Sequence, residues 1–174
     1  SSSTSIGLNT TAGSLYSTAL GVSGGGLGSV TATGGGAMAL GGSYASGTDS
    51  FAAAIANNSA SYGATGANSV AMGLNNKTTG TRSVAIGGAA SQATGSSSVI
   101  LGGFSSIASG SGSVTLGGAS LVSSGNYAVS AGQLCTASGY AAVSMGRSNT
   151  AAGNYSTVFG YQASTSVYGH NALA

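Results

Sequence analysis

Large apolar residues two positions apart, closed by a glycine, recur along this chain at a nearly constant pitch. The phrase reads SVAMG at 69–73, SVAIG at 83–87, SVILG at 98–102, SVTLG at 113–117, AVSAG at 128–132, AVSMG at 142–146 and STVFG at 156–160. The closing glycines, Gly73, Gly87, Gly102, Gly117, Gly132, Gly146 and Gly160, follow one another by 14 or 15 residues. A second series, Gly80, Gly95, Gly110, Gly125, Gly139 and Gly153, runs between them. Self-similarity at a fixed short period marks a stack of repeated structural units. Apolar groups two apart in so short a run predict a strand with one face inward. On that reading Val70, Val84, Val99 and Val114, with Met72, Ile86, Leu101 and Leu116, line the core. The small residues between them, such as Ala71, Ala85, Thr115, Ser130 and Ser144, then point outward. The glycine that closes each phrase predicts a tight turn or a close approach of two backbones.

Ala93, Ala108, Ala137 and Ala151 each stand two residues before a glycine of the second series. They predict a second strand that gives small side chains to a thin core. Two strands and two turns per 14–15 residues make one rung of an all-β, parallel β-roll or β-solenoid. A single rung cannot bury its apolar face, whereas stacked rungs can. STSIG at 3–7, STALG at 17–21 and AMALG at 37–41 are earlier copies of the phrase, and SFAAA at 50–54 is a degenerate one. The expected organisation is a single repeat domain over 1–174. Residues 1–68 form irregular rungs, with glycine-rich 21–36 as a distorted rung or a loop. A further loop near 55–66 takes up the excess length between Ser50 and Ser69. Residues 69–160 form regular rungs, and 161–174 a last rung or cap.

Composition narrows the picture. Glycine and serine richness alone suits a disordered linker, but a linker does not keep Val and Leu, Ile or Met in phase through seven repeats. Glycine at this density also disfavours a helix, at about 1 kcal/mol per interior position. Charged residues make up only 2% of the chain: Asp49, Lys77, Arg82 and Arg147. No basic stripe is available for a nucleic-acid partner. No apolar run reaches transmembrane length and no signal segment opens the chain, so membrane insertion is not expected and Ser1 reads as an internal or processed start. Proline is absent, which excludes a collagen helix. The lone Cys135 excludes an intrachain disulfide framework.

The candidate chemistry is sparse. Glycoside hydrolysis in its usual form needs two carboxylates, and Asp49 is the sole acidic residue. Cys135, His170 and Asp49 are far apart in sequence and make a poor ligand set for zinc. Cys135 occupies the repeat position of Ser106, Leu121 and Asn149, which suits a structural thiol, and His170 reads as a cap or interface residue. Neither GxGxxG nor Walker A sequences occur. No catalytic residue, metal or cofactor is expected. The N-x-S/T triplets at Asn9, Asn57, Asn76 and Asn154 follow from the abundance of Ser, Thr and Asn. Tyr16, Tyr127 and Tyr155 each precede a phrase by one residue and Tyr140 by two. Stacked rungs bring equivalent positions to about 4.8 Å, so these tyrosines form a ladder that either contacts a partner or packs rungs or chains together. Ile107 and Val122, at one position of successive rungs and out of phase with the small inward residues, are candidates for contact with a neighbouring chain.

SVAIGGAASQATG, 83–95, resembles the head repeat of trimeric autotransporter adhesins, the YadA-like family. ASGYAAVSMGRSNTAAGNYSTVFGYQAST, 137–165, resembles the related repeats of bacteriophage tail fibres, and the GHNALA ending is similar to fibre sequences that precede an autocleaving chaperone. The resemblance covers 69–160 and, in patches, 3–50. It implies a left-handed parallel β-roll, a homotrimer of three chains side by side, an extracellular place on a virion or bacterial surface, and attachment to a glycan or protein receptor of a host surface. Heads of the family usually carry more Asp, Asn and Lys, together with a coiled-coil neck and a membrane anchor that this stretch lacks. The first expectation is therefore a phage tail-fibre or receptor-binding head, and the alternative is the head of a bacterial trimeric autotransporter adhesin. An ice-binding solenoid or a purely structural fibre spacer are further alternatives. No T-x-T column recurs within the phrase, which speaks against ice binding.

Overall fold

The computed structural model describes residues 2–22, 29–53 and 61–174. Among them there is no helix, and the strands form two parallel sheets of 12 and 11 strands. Successive strands alternate between the sheets, so the chain winds as a β-solenoid of about 11 turns. Each phrase lies in the first sheet, as in Val84–Ala89 and Val114–Ala119. The lighter segment lies in the second, as in Gln92–Ala93 and Ile107–Ala108. Like residues stack upon like: Val84 is in register with both Val70 and Val99, and Ala93 with Ala108. Of the glycine-rich stretch 21–36, residues 23–28 lie outside the described residues, and Val30–Ala32 is a strand of the second sheet. Of the loop expected near 55–66, residues up to 60 lie outside the described residues, and Gly63–Ala64 is again a strand of the second sheet.

The first sheet faces the opposite way to the sequence expectation. Ala71, Ala85, Ile100, Thr115, Ser130, Ser144 and Val158 fill the core, and each is at most 1% exposed. The Val column is only half-buried, and Ile86, Leu101, Leu116 and Phe159 are between 37% and 46% exposed. The reason is thickness. The second sheet turns Ala32, Ala45, Ala64, Ala93, Ala108, Ala137 and Ala151 inward. Against a wall of alanine on so short a rung, little more than another small residue fits across the gap. Alternation with period two fixes which residues share a face but not which face is inside, and a one-residue change of phase exchanges the two.

Polar groups inside the roll are tied to backbone. Ser69, Ser83, Ser98 and Ser156, the first residues of their phrases, each donate a hydroxyl proton to the carbonyl three residues earlier at 2.6–2.8 Å. This local side-chain bond closes the turn ahead of the strand. Asn76 and Asn149 occupy one interior column and make the same three bonds. Asn149 Nδ2 donates to Met145 O at 2.6 Å and Gly160 O at 2.8 Å, while Ala163 N–H donates to its Oδ1 at 2.9 Å. Each asparagine therefore joins its own rung to the next. Asn76 is 1% exposed, so its N-x-T triplet is closed to a glycosylating enzyme in the folded state. Asn149→Ala removes three hydrogen bonds to backbone from a fully buried position and is expected to cost about 2–4 kcal/mol. Urea denaturation checks this, and a cost near that of an exposed Asn→Ala change would contradict it.

Candidate functional site

The turns leading into the phrases place aromatic rings along one edge. In these turns the residue before the phrase is left-handed: Tyr127 has φ 60°, Ala141 φ 51°, Tyr155 φ 57° and Gly169 φ 63°. Tyr127 and Tyr155 occupy that slot, and Tyr140 and Tyr168 come one residue earlier. The rings of Tyr127, Tyr140, Tyr155 and Tyr168 meet edge to face in sequence, with centroids 5.5, 5.3 and 5.4 Å apart. All four remain between 41% and 72% exposed. The structure thus brings together three of the tyrosines singled out in the sequence and adds Tyr168, which the fading register of the tail conceals. Tyr16 is left-handed at the same slot of an early rung, and among the described residues no ring pairs with it.

Ile107 and Val122 lie elsewhere, as register partners on the outer face of the second sheet. Beside them runs a column that sequence reasoning missed. Thr79, Thr94, Ser109, Ser124 and Ser138 each precede a glycine of the second series, and all reach solvent. Its signal in the sequence is the repeated Ser/Thr–Gly pair, which falls outside the phrase. The neighbouring outward column is mixed, with Lys77, Gln92, Ile107 and Val122 in successive rungs. No uniform plane of hydroxyls results.

Among the described residues, exposed apolar side chains line up on the outer face of the first sheet. The half-buried Val70, Val84, Val99, Val114, Val129 and Val143 run beside Met72, Ile86, Leu101, Leu116, Ala131, Met145 and Phe159, rung upon rung, with Ala131 the one small residue among the latter. A continuous stripe of this kind marks an interaction surface rather than scattered surface apolar residues.

The groups capable of chemistry stay apart. Cys135 is fully buried, with its Sγ 3.5 Å from Gln133 O. His170 is exposed at the far end of the roll, with Nδ1 3.2 Å from Thr165 Oγ1. Among the described residues no three His, Cys, Asp or Glu side chains gather, and no helix is long and apolar enough to cross a membrane. Arg147 packs over the Tyr161 ring at 5.7 Å.

A parallel roll of short rungs with its large apolar side chains turned outward defines a repeat-built interaction module. The YadA head domain repeat matches the chain twice, over residues 64–90 and 137–163. The chain therefore carries YadA-like head repeats. Each matched segment contains one of the two rung-bridging asparagines, Asn76 or Asn149. A comparison with curated proteins found no match.

Proposed function

We propose that the chain is a non-enzymatic attachment module at a cell surface: the head of a trimeric, autotransporter-type adhesin. The observation that carries the reading is the outer face of the first sheet, where a column of Val runs beside a column of Met, Ile, Leu and Phe interrupted at Ala131, on rungs that include both YadA matches. A single chain leaves that face in water. Three chains side by side remove it from water, at roughly 25 cal/mol for each Å² of apolar area buried. The match to YadA head repeats favours the bacterial adhesin over the virion fibre that the sequence put first. The mixed outward columns of the second sheet favour neither ice binding nor a bare spacer.

With charged residues at 2% of the chain, attachment rests on hydroxyls, amides, backbone and aromatic rings. Repetition over rungs and chains supplies avidity, and linked weak sites gain about 10²–10⁴ over one alone. Binding of the full-length protein to host cells is expected to change less than about threefold between roughly 50 and 500 mM salt, because almost nothing is present to screen. A loss of about tenfold or more, or no attachment to any cell, would overturn the reading.

A further inference from the structure

We propose that the tyrosine edge is a docking strip for a neutral glycan chain lying along the roll axis, an inference that rests on the reading of the roll as an attachment head. Tyr127, Tyr140, Tyr155 and Tyr168 supply one exposed ring per rung over four consecutive turns. Between them stand Asn126 and Asn154. Ser111 N–H donates to Asn126 Oδ1 at 3.0 Å, and Tyr140 N–H donates to Asn154 Oδ1 at 2.9 Å. Each amide is held by its oxygen, and its Nδ2 hydrogens have no partner among the described residues. The strip therefore alternates aromatic rings with fixed donors. Rings pack against the apolar C–H faces of pyranoses, and amide N–H groups and tyrosine hydroxyls bond to sugar oxygens. Held side chains lose little freedom on binding.

Two observations narrow the occupant. The turns 125–128, 139–142, 153–156 and 167–170 contain no Lys, Arg, Asp or Glu. A sulfated or otherwise anionic polymer finds no counter-charge there. An extended polypeptide adding as a strand needs a row of free backbone groups, and in each of these turns one N–H is already taken. Tyr127 N–H donates to Ser111 O, Ala141 N–H to Asn126 O, Tyr155 N–H to Tyr140 O and Gly169 N–H to Asn154 O, all at 2.7–2.8 Å. What remains is side-chain recognition of an uncharged, hydroxyl-rich chain.

The chain has no tryptophan, so intrinsic tyrosine fluorescence reads binding directly. This 174-residue chain is titrated with neutral hexasaccharides of glucose, mannose and N-acetylglucosamine, with heparin and casein as the anionic and polypeptide probes. At least one neutral hexasaccharide is expected to bind. Tyr140→Ala and Tyr168→Ala should each weaken it about tenfold or more, while Tyr16→Ala, outside the ladder, stays within about twofold. Tyr168, the most exposed of the four at 72%, keeps the test valid if Tyr140→Ala misfolds. Binding of heparin or casein alone, binding of no probe, or hexasaccharide binding indifferent to both alanine variants would overturn the strip. Cell attachment measured in parallel separates the two readings. Attachment without glycan binding removes the strip and leaves the adhesin head, whereas glycan binding through these tyrosines without cell attachment does the reverse.

Discussion

Ala85→Asp is expected to damage the protein more than Val84→Asp, the opposite of what residue size suggests. Ala85 is 0% exposed, between Ala71 and Ile100 of the adjoining rungs. Among the described residues no Lys or Arg is buried in the core beside it, and a carboxylate there replaces a methyl group in a space sized for one. An uncompensated buried charge costs about 3–5 kcal/mol, and overpacking adds about 1–3 kcal/mol. Val84 stands on the outer face and is half-buried in the single chain. Val84→Asp loses part of the burial of one valine, about 1–2 kcal/mol, and weakens association between chains. The two defects differ in kind, because mass action restores an assembly and does not repair a core. Circular dichroism melts at rising protein concentration separate them. Val84→Asp should be partly rescued and Ala85→Asp should not. If Val84→Asp proves the more damaging at every concentration, the assignment of faces is wrong.

Two glycine-to-alanine changes are expected to differ widely although the chemistry is identical. Gly110 lies outside the left-handed region, but a Cβ built on it collides with the Gly125 carbonyl oxygen of the next rung. The same collision, rung by rung, awaits a Cβ at Gly80, Gly95, Gly125 and Gly139. Gly110→Ala must push two rungs apart and strain the bond from Gly110 N–H to Ser123 O at 3.2 Å. The expected cost exceeds about 3 kcal/mol, the upper end of ordinary overpacking. Gly117 is the converse case, with φ 62° and nothing within 4 Å of where a methyl group would stand. Its alanine variant bears only the left-handed backbone penalty, about 1–2 kcal/mol. Urea denaturation midpoints order the two, and equal losses would show that rungs do not approach as closely as described.

Much of the architecture was legible because the glycines carry it. The second series spaces the rungs, and its members are fixed by backbone contact, so the period survives where side chains vary. The faces were not legible. Val84-Ala85-Ile86 announces a strand and its alternation, yet burying the larger pair is favourable only where the interior has room, and the depth of the roll is set by alanines in a different strand. Ile100 and Val158 show that a large residue does enter where the stack allows, which blurs the rule further. The bridging role of Asn76 and Asn149 was not legible, since nothing local shows that each will find three backbone partners across two rungs. The tyrosine ladder was partly legible. Tyr127, Tyr140 and Tyr155 keep step with the phrases, whereas Tyr168 precedes a rung whose phrase has dissolved into HNAL.

Sedimentation equilibrium tests most directly whether the outer face of the first sheet is a subunit interface. The expected mass for the wild type is that of three 16.1 kDa chains. Leu101→Glu, which sets a charge among Ile86, Leu116 and the valines, should abolish that assembly without touching the interior of the roll. A stable, folded, all-β monomer of the wild-type chain, or a trimer indifferent to Leu101→Glu, would contradict it.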